Sequence, residues 1–294
     1  MKNARIVAAA LLLVPALASA VQKPDQKPSD PKPAEQKTGL TGQVSEEEFK
    51  KMHELKTGAV PDLKGTMIEV DHGRAYLSLP KDAKAPLPAV VVIHEWWGLN
   101  DNVKHWADRL AAEGYAALAV DLYGGAVATT PDAAMEAMRK VDEKKAVETM
   151  RAAVRFLKED PRVLATKTAS IGWCFGGGMS LALALAEPGL DAVVMYYGHP
   201  VTDPEKLQSL RAPLLGIFGT QDKSIPPPVV KEFDEALTAA KKNHRIQSYE
   251  ADHAFANPSN PHYDEKNAGA AWEEARAFLS KHLKESGKQA KAGG

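Results

Sequence analysis

Residues 88–94, Pro-Ala-Val-Val-Val-Ile-His, hold an unbroken apolar run of strand length. A strand with one wet face alternates apolar and polar residues, whereas a run without alternation needs cover on both faces. Short strand-length runs recur at 115–120, 192–197 and 214–219, with more polar ones at 168–172 and 244–249. Helix-length segments separate them: 102–113, with Val103, Trp106, Leu110 and Ala111 at helical spacing, then 131–157 with room for a break, 177–186, 229–241 and 263–283. Ahead of them, 67–70 and 74–79 read as a strand pair turned at Asp71-His72-Gly73. Strands alternating with helices predict the α/β class, a mostly parallel sheet covered by helices on both faces.

The two ends read differently. Lys2 and Arg5, an apolar stretch over 6–17 interrupted by Pro15, and Ala18-Ser19-Ala20 have the layout of a secretory signal. The stretch is short for a bilayer span. The expected organisation is a signal peptide at 1–20, a Pro/Lys-rich linker with a short helix at 21–60, an α/β domain at 61–285 and a polar tail at 286–294. Pro24, Pro28, Pro31 and Pro33 stand among lysines and polar residues that cannot build a core. Ser45 followed by Glu48 is a capping box opening a short helix to about Lys56. The expected address is periplasmic or secreted. Lys plus Arg number 37 against 38 Asp plus Glu, which removes the electrostatic case for nucleic acid or an anionic membrane surface. The expected partner is a small molecule, bound by a monomer with no transmembrane domain.

The chain has one cysteine, Cys174. Alone, it forms no internal disulfide, and is either a small buried hydrophobe or a reactive thiol. Its neighbours, Gly172-Trp173-Cys174-Phe175-Gly176, favour the thiol. A nucleophile on a sharp strand-to-helix turn stands clear of the backbone, and the residues two before and two after it approach so closely that both must be small. The following helix N-terminus favours thiolate and offers an amide to a developing oxyanion. No Gly-Lys-Ser or Gly-Lys-Thr follows, which excludes a P-loop.

Open α/β sheets collect ligands at the carboxyl ends of their strands. Asp222 lies just past the run at 214–219, and His253 just past that at 244–249. The order Cys174, Asp222, His253 is nucleophile, acid, base, the order of α/β-hydrolases. A neutral His253 can take the thiol proton while Asp222 fixes its tautomer. Glu95 follows the strand at 88–94 and belongs to the same edge. Together, Glu95 in "HEWWG", "DLYGG" at 121–125, "GWCFGG", "GTQD" and "ADHAF" resemble the dienelactone hydrolase family over about residues 65–284.

That resemblance implies an α/β-hydrolase fold and a cysteine hydrolase that opens lactones, esters or thioesters through an acyl-thiol intermediate. Cys174 would be nucleophile, His253 base and Asp222 its orienting acid. Glu95 would interact with the resting thiol and govern its activation, and the backbone N–H groups of Trp96 and Phe175 would form the oxyanion hole. No metal or organic cofactor is implied. Two arginines that bind a substrate carboxylate in dienelactone-cleaving members fall here at Gly125 and Asn257. Their absence predicts weak selection for an acidic lactone, unless Arg74, Arg109 or Arg139 substitutes. Trp97, Tyr123, Trp173 and Phe255 are the expected pocket lining. Competing readings are a peptidase or amidase using the same triad, and a hydrolase-fold binding or scaffold protein at the cell envelope.

Overall fold

The computed structural model describes residues 41–56 and 62–285. The expected signal peptide, most of the linker and the polar tail lie outside them. The described residues belong to one unit, Lys37–Gly294. In chain order the elements are α1 (Glu46–Met52), β1 (Thr66–Val70), β2 (Gly73–Ser78), β3 (Ala89–Ile93), α2 (Asp101–Ala112) and β4 (Ala116–Val120). They continue with α3 (Pro131–Arg139), α4 (Glu143–Glu159), β5 (Thr168–Trp173), α5 (Phe175–Ala186) and β6 (Ala192–Tyr196). A 3-10 turn at Lys206–Ser209 precedes β7 (Leu214–Gly219), α6 (Pro227–Ala239), β8 (His244–Tyr249) and α7 (Glu265–Leu283).

The strands make one sheet in the order β1-β2-β4-β3-β5-β6-β7-β8. β1 with β2 and β2 with β4 are antiparallel; every later pairing is parallel. The unbroken apolar runs have the physical cause expected. Successive side chains point to opposite faces, and both faces are covered. Val90 and Val92 of β3 join a core with Leu110 of α2 and Trp272 and Leu279 of α7. Val91 and Ile93 join the opposite core with Val154 and Leu157 of α4, Leu181 of α5 and Phe233 of α6.

The expected break in the helix at 131–157 is real. Lys140 ends α3, and the Asp142 side chain accepts from the Lys145 N–H to start α4. The capping box is also present: the Glu48 N–H donates to Ser45, and the Ser45 N–H donates to the Glu48 carboxylate. The short helix is not spacer. Phe49 and His53 are buried, and residues 41–56 bond to loops far along the chain. The Gln43 N–H donates to the Ser224 carbonyl, the Lys56 N–H to the Ser259 carbonyl and Asn260 Nδ2 to the Met52 carbonyl.

β3 has β4 on one side and β5 on the other. The chain therefore winds away from β3 in one direction, through α2, and then returns to add strands in the other. Such a reversal opens a crevice at the strands' carboxyl ends. Glu95 and Trp96 follow β3, and Cys174 follows β5.

Candidate active site

Cys174 is the residue between β5 and α5, with φ +52° and ψ −119°. This backbone region is sparsely populated by residues with side chains, and it persists only where the surroundings enforce it. They do so here. The Cys174 N–H donates to the Tyr196 carbonyl at the end of β6, and its carbonyl accepts from the Gly177 and Gly178 N–H groups. A Cβ on Gly172 would stand 2.1 Å from the Gly176 carbonyl oxygen, and one on Gly176 would stand 2.3 Å from that of Ile93. The two flanking glycines are thus required by backbone-on-backbone contact.

Asp222 and His253 meet as expected. His253 Nδ1 lies 2.6 Å from Asp222 Oδ2, and both residues are buried. The other Asp222 oxygen accepts from the Ser224 and Ile225 N–H groups at 2.8 and 2.9 Å, which fixes the carboxylate. The His253 Nδ1 hydrogen is committed to Asp222, leaving Nε2, which is buried and has no hydrogen-bond partner. Burial pulls His253 down, but the Asp222 charge, the charge on Cys174 once its sulfur is a thiolate, and the hydrogen bonds to both outweigh it, so a proton that His253 takes from the sulfur is held well above the ordinary imidazole value.

Glu95 sits on the same edge, but its partners differ from those expected. Asn257 Nδ2 donates to one oxygen at 2.6 Å and the Tyr197 hydroxyl to the other at 3.4 Å. The Asn257 amide is oriented by its own oxygen, which accepts from the Ser259 N–H and hydroxyl. Burial pushes the Glu95 carboxyl up to about 7, against the pull of Asn257. Next to it His94 is locked neutral. Its Nδ1 donates to the Glu95 carbonyl, its Nε2 accepts from the Leu122 N–H, and burial takes it down to about 4.

Among the described residues, the hydrogen-bond contact to Cys174 Sγ is made by His53, whose Nε2 lies 3.7 Å away. Nothing in the sequence reading singled out His53, or Tyr197 as a partner of Glu95. The available signal for His53 was local: a well-capped helix carrying Phe49, Met52 and a terminal histidine has an apolar face that a spacer does not need.

The site opens on a cavity of about 590 Å³ that reaches Cys174, Phe175, Tyr197 and His253. Phe49, Met138, Met179, Leu185, Val201 and Ile225 are among its apolar walls, and Glu143 and His199 are its other ionisable residues. The expected lining by Trp97, Tyr123, Trp173 and Phe255 is corrected: none of the four borders this cavity. Trp173 ends β5 inside the α2–α7 layer, stacked between Trp106 and Tyr196. Trp97 packs on Trp96, Phe255 lies between Tyr197 and Tyr249, and Tyr123 covers His94 and Phe175. Closeness in sequence to the nucleophile placed these rings in the core beside it.

The expected arginine substitutes are also engaged elsewhere. Arg74 pairs with Glu69 and Arg139 with Glu46, while Arg109 lies over the rings of Trp106 and Trp272. At the two positions where the resemblance places arginines, the Gly125 N–H donates to Asp121 and Asn257 to Glu95.

The profile of the dienelactone hydrolase family matches residues 74–283. The chain belongs to the dienelactone hydrolase family. A protein of Aquifex aeolicus, provisionally named carboxymethylenebutenolidase, is 32% identical over 75% of this chain and all of that protein. Protein usf of Aquifex pyrophilus is 33% identical over 74% of this chain and 99% of its own. A crystal structure from Klebsiella pneumoniae, provisionally named a dienelactone hydrolase, superposes with a TM-score of 0.68. It is 28% identical and covers 75% of this chain and 99% of that one. The chain is therefore a hydrolase of the dienelactone hydrolase type with the α/β-hydrolase fold, acting on small molecules. Among the described residues, no helix is long and apolar enough to cross a membrane.

His53, Cys174 and His253 bring one ligand atom each within 4.8 Å of one another. Thiolate and two imidazoles are a donor set that a zinc-like cation accepts. The strained turn, the Asp222–His253 pair and the dienelactone hydrolase framework give the sulfur a different employment.

Proposed function

We propose that this chain is an exported cysteine hydrolase that cleaves a neutral carboxylic ester, lactone or thioester through an acyl-thiol intermediate. The observation that carries the reading is Cys174 on its strained turn, facing a cavity in which the buried His253–Asp222 pair presents an unpartnered Nε2. In the first half-reaction His253 Nε2 takes the thiol proton and the sulfur attacks the substrate carbonyl carbon. The Asp222 carboxylate holds the imidazole tautomer and steadies the imidazolium. The tetrahedral oxyanion is met by the N–H groups of Trp96 and Phe175, which follow the paired strands β3 and β5. Phe175 also opens α5, whose N-terminal dipole favours negative charge there. His253 then protonates the leaving oxygen or sulfur, leaving an acyl-thiol. Water, deprotonated by His253, attacks that acyl carbon and restores the thiol. Glu95, a few residues along the same edge, tunes the charge balance around His253.

The preference for a neutral substrate rests on the cavity lining, which includes no lysine or arginine. A bidentate guanidinium–carboxylate contact is strong and geometrically selective, and no group here supplies one. The apolar walls suit a hydrocarbon acyl or alcohol portion. Export rests on the layout of residues 1–20. The test is steady-state hydrolysis of a small activated neutral ester by the protein and by Cys174→Ala. Turnover should vanish in the variant; equal turnover in both would remove Cys174 from the chemistry.

A further inference from the structure

His53 lies outside the family profile, which begins at residue 74, and the reaction above does not use it. It is fully buried at the C-terminal end of α1. Its Nδ1 stands 2.8 Å from the Phe49 carbonyl oxygen. A carbonyl only accepts, so Nδ1 carries the hydrogen and Nε2 is a bare acceptor. Burial holds the ring well below its ordinary value, so it is neutral. The contact at 3.7 Å is therefore a thiol S–H donating to Nε2. The ring is boxed in by Phe49 at 4.1 Å, Trp96 at 4.6 Å and His253 at 5.1 Å between centroids. Its segment is pinned to the loops that carry the acid and the base, through Ser224 on one side and Ser259 and Asn260 on the other.

We propose that His53 is a positioning residue whose bare Nε2 accepts the Cys174 S–H and so fixes the direction of the resting thiol. The proposal rests on the thiol-hydrolase reading above. It gives His53 the place that the family resemblance assigns to Glu95, whose oxygens are already taken by Asn257 and Tyr197. On activation the sulfur leaves His53. The S–H bond breaks, the proton moves to His253 Nε2, and the electron pair stays on sulfur. His53 keeps its own hydrogen on Nδ1 throughout.

The sole cysteine makes the test clean, because alkylation by iodoacetamide can be followed by intact mass at pH 7. His53→Asn keeps an N–H near the Phe49 carbonyl and removes the atom facing the sulfur. Alkylation should become about fivefold faster, the worth of one neutral hydrogen bond. His53→Gln sets an amide oxygen near the old Nε2 and should return the rate to within twofold of wild type. Ser45→Ala weakens α1 at its cap but leaves the imidazole, and should also stay within twofold. An unchanged or slower rate in His53→Asn would overturn the proposal. So would an equally fast rate in His53→Gln or in Ser45→Ala, because access alone would then explain the rise. His53→Asn and His53→Gln are compared only if their near-ultraviolet circular dichroism matches wild type; if either is unfolded, His53→Leu, which also lacks an acceptor, takes its place, and a rate about fivefold above both wild type and Ser45→Ala supports the proposal while an unchanged or slower rate overturns it. His253→Ala separates the two readings: unchanged ester turnover there would sink the thiol-hydrolase mechanism, while the His53 variants still decide the present point.

Discussion

Glu95→Gln probes a charge that the fold holds at a cost. The Glu95 carboxyl is pushed from its ordinary 4.5 up to about 7, because burial disfavours the charged form more than the Asn257 hydrogen bond restores it. Between those two values the folded chain keeps a proton at Glu95 that the unfolded chain has lost. Stability from this group is therefore full below about pH 4.5 and is lost as pH rises through about 7. At about 1.4 kcal/mol per unit, the loss amounts to roughly 3 kcal/mol. Glutamine has nearly the same shape. Its oxygen can still accept from Asn257, and its NH₂ can donate to the Tyr197 oxygen, but it never ionises. Urea unfolding of wild type and variant from pH 4 to pH 8.5 should give two curves separated by a constant at the acid end. From there the variant should gain roughly 3 kcal/mol relative to wild type by pH 8. In a chain of this size that is a difference of about 6–12 °C in Tm. Curves that stay parallel across the whole range, or a gap that opens the other way, would refute the reasoning.

Three further outcomes are expected. Asp222→Asn leaves the shape of the site but lets His253 take the wrong tautomer, and should lower kcat for a small ester by about 10³–10⁴-fold with little change in Tm; a loss below tenfold would remove Asp222 from its role. Gly176→Ala drives a Cβ to 2.3 Å from the Ile93 carbonyl and 2.5 Å from that of His94. It should destabilise the protein by about 3 kcal/mol or more, read in thermal melts. The ratio of kcat/KM for a neutral ester to that for an anionic lactone of similar size should exceed one; a strong preference for the anion would contradict a cavity lining that includes no lysine or arginine.

The parts of this molecule written in local pattern were legible before the structure. β3, β4, β6 and β7 read as continuous apolar runs because each is covered by helices on both faces, and that cause leaves its mark residue by residue. Cys174, Asp222 and His253 were legible because each lies within four residues of a strand's end, and strand ends in a parallel sheet converge on one edge. What depends on direction was not. Trp173 differs from Cys174 by one position, yet it turns into the α2–α7 layer while the sulfur faces the cavity. Asn257 registered as a missing arginine, although its amide donates to Glu95. His53 stands 121 residues from the thiol it touches, and no periodicity spans that distance. Its helix was visible as a capping box, but what the helix packs against belongs to the tertiary fold.

The hydrogen bonds that seat residues 41–56 also order events in time. Thr41 is bonded to a residue 183 positions away, and Met52 to one 208 positions away. During synthesis this segment emerges ahead of the whole sheet, but its docking loops at 222–225 and 257–260 are among the last parts made. Contacts of such span close late, after the loop entropy has been met by everything between. The newborn chain thus carries its thiol turn before the wall made earlier has docked over it. The imidazole facing Cys174 comes from the early end of the chain and arrives only when the late end is in place.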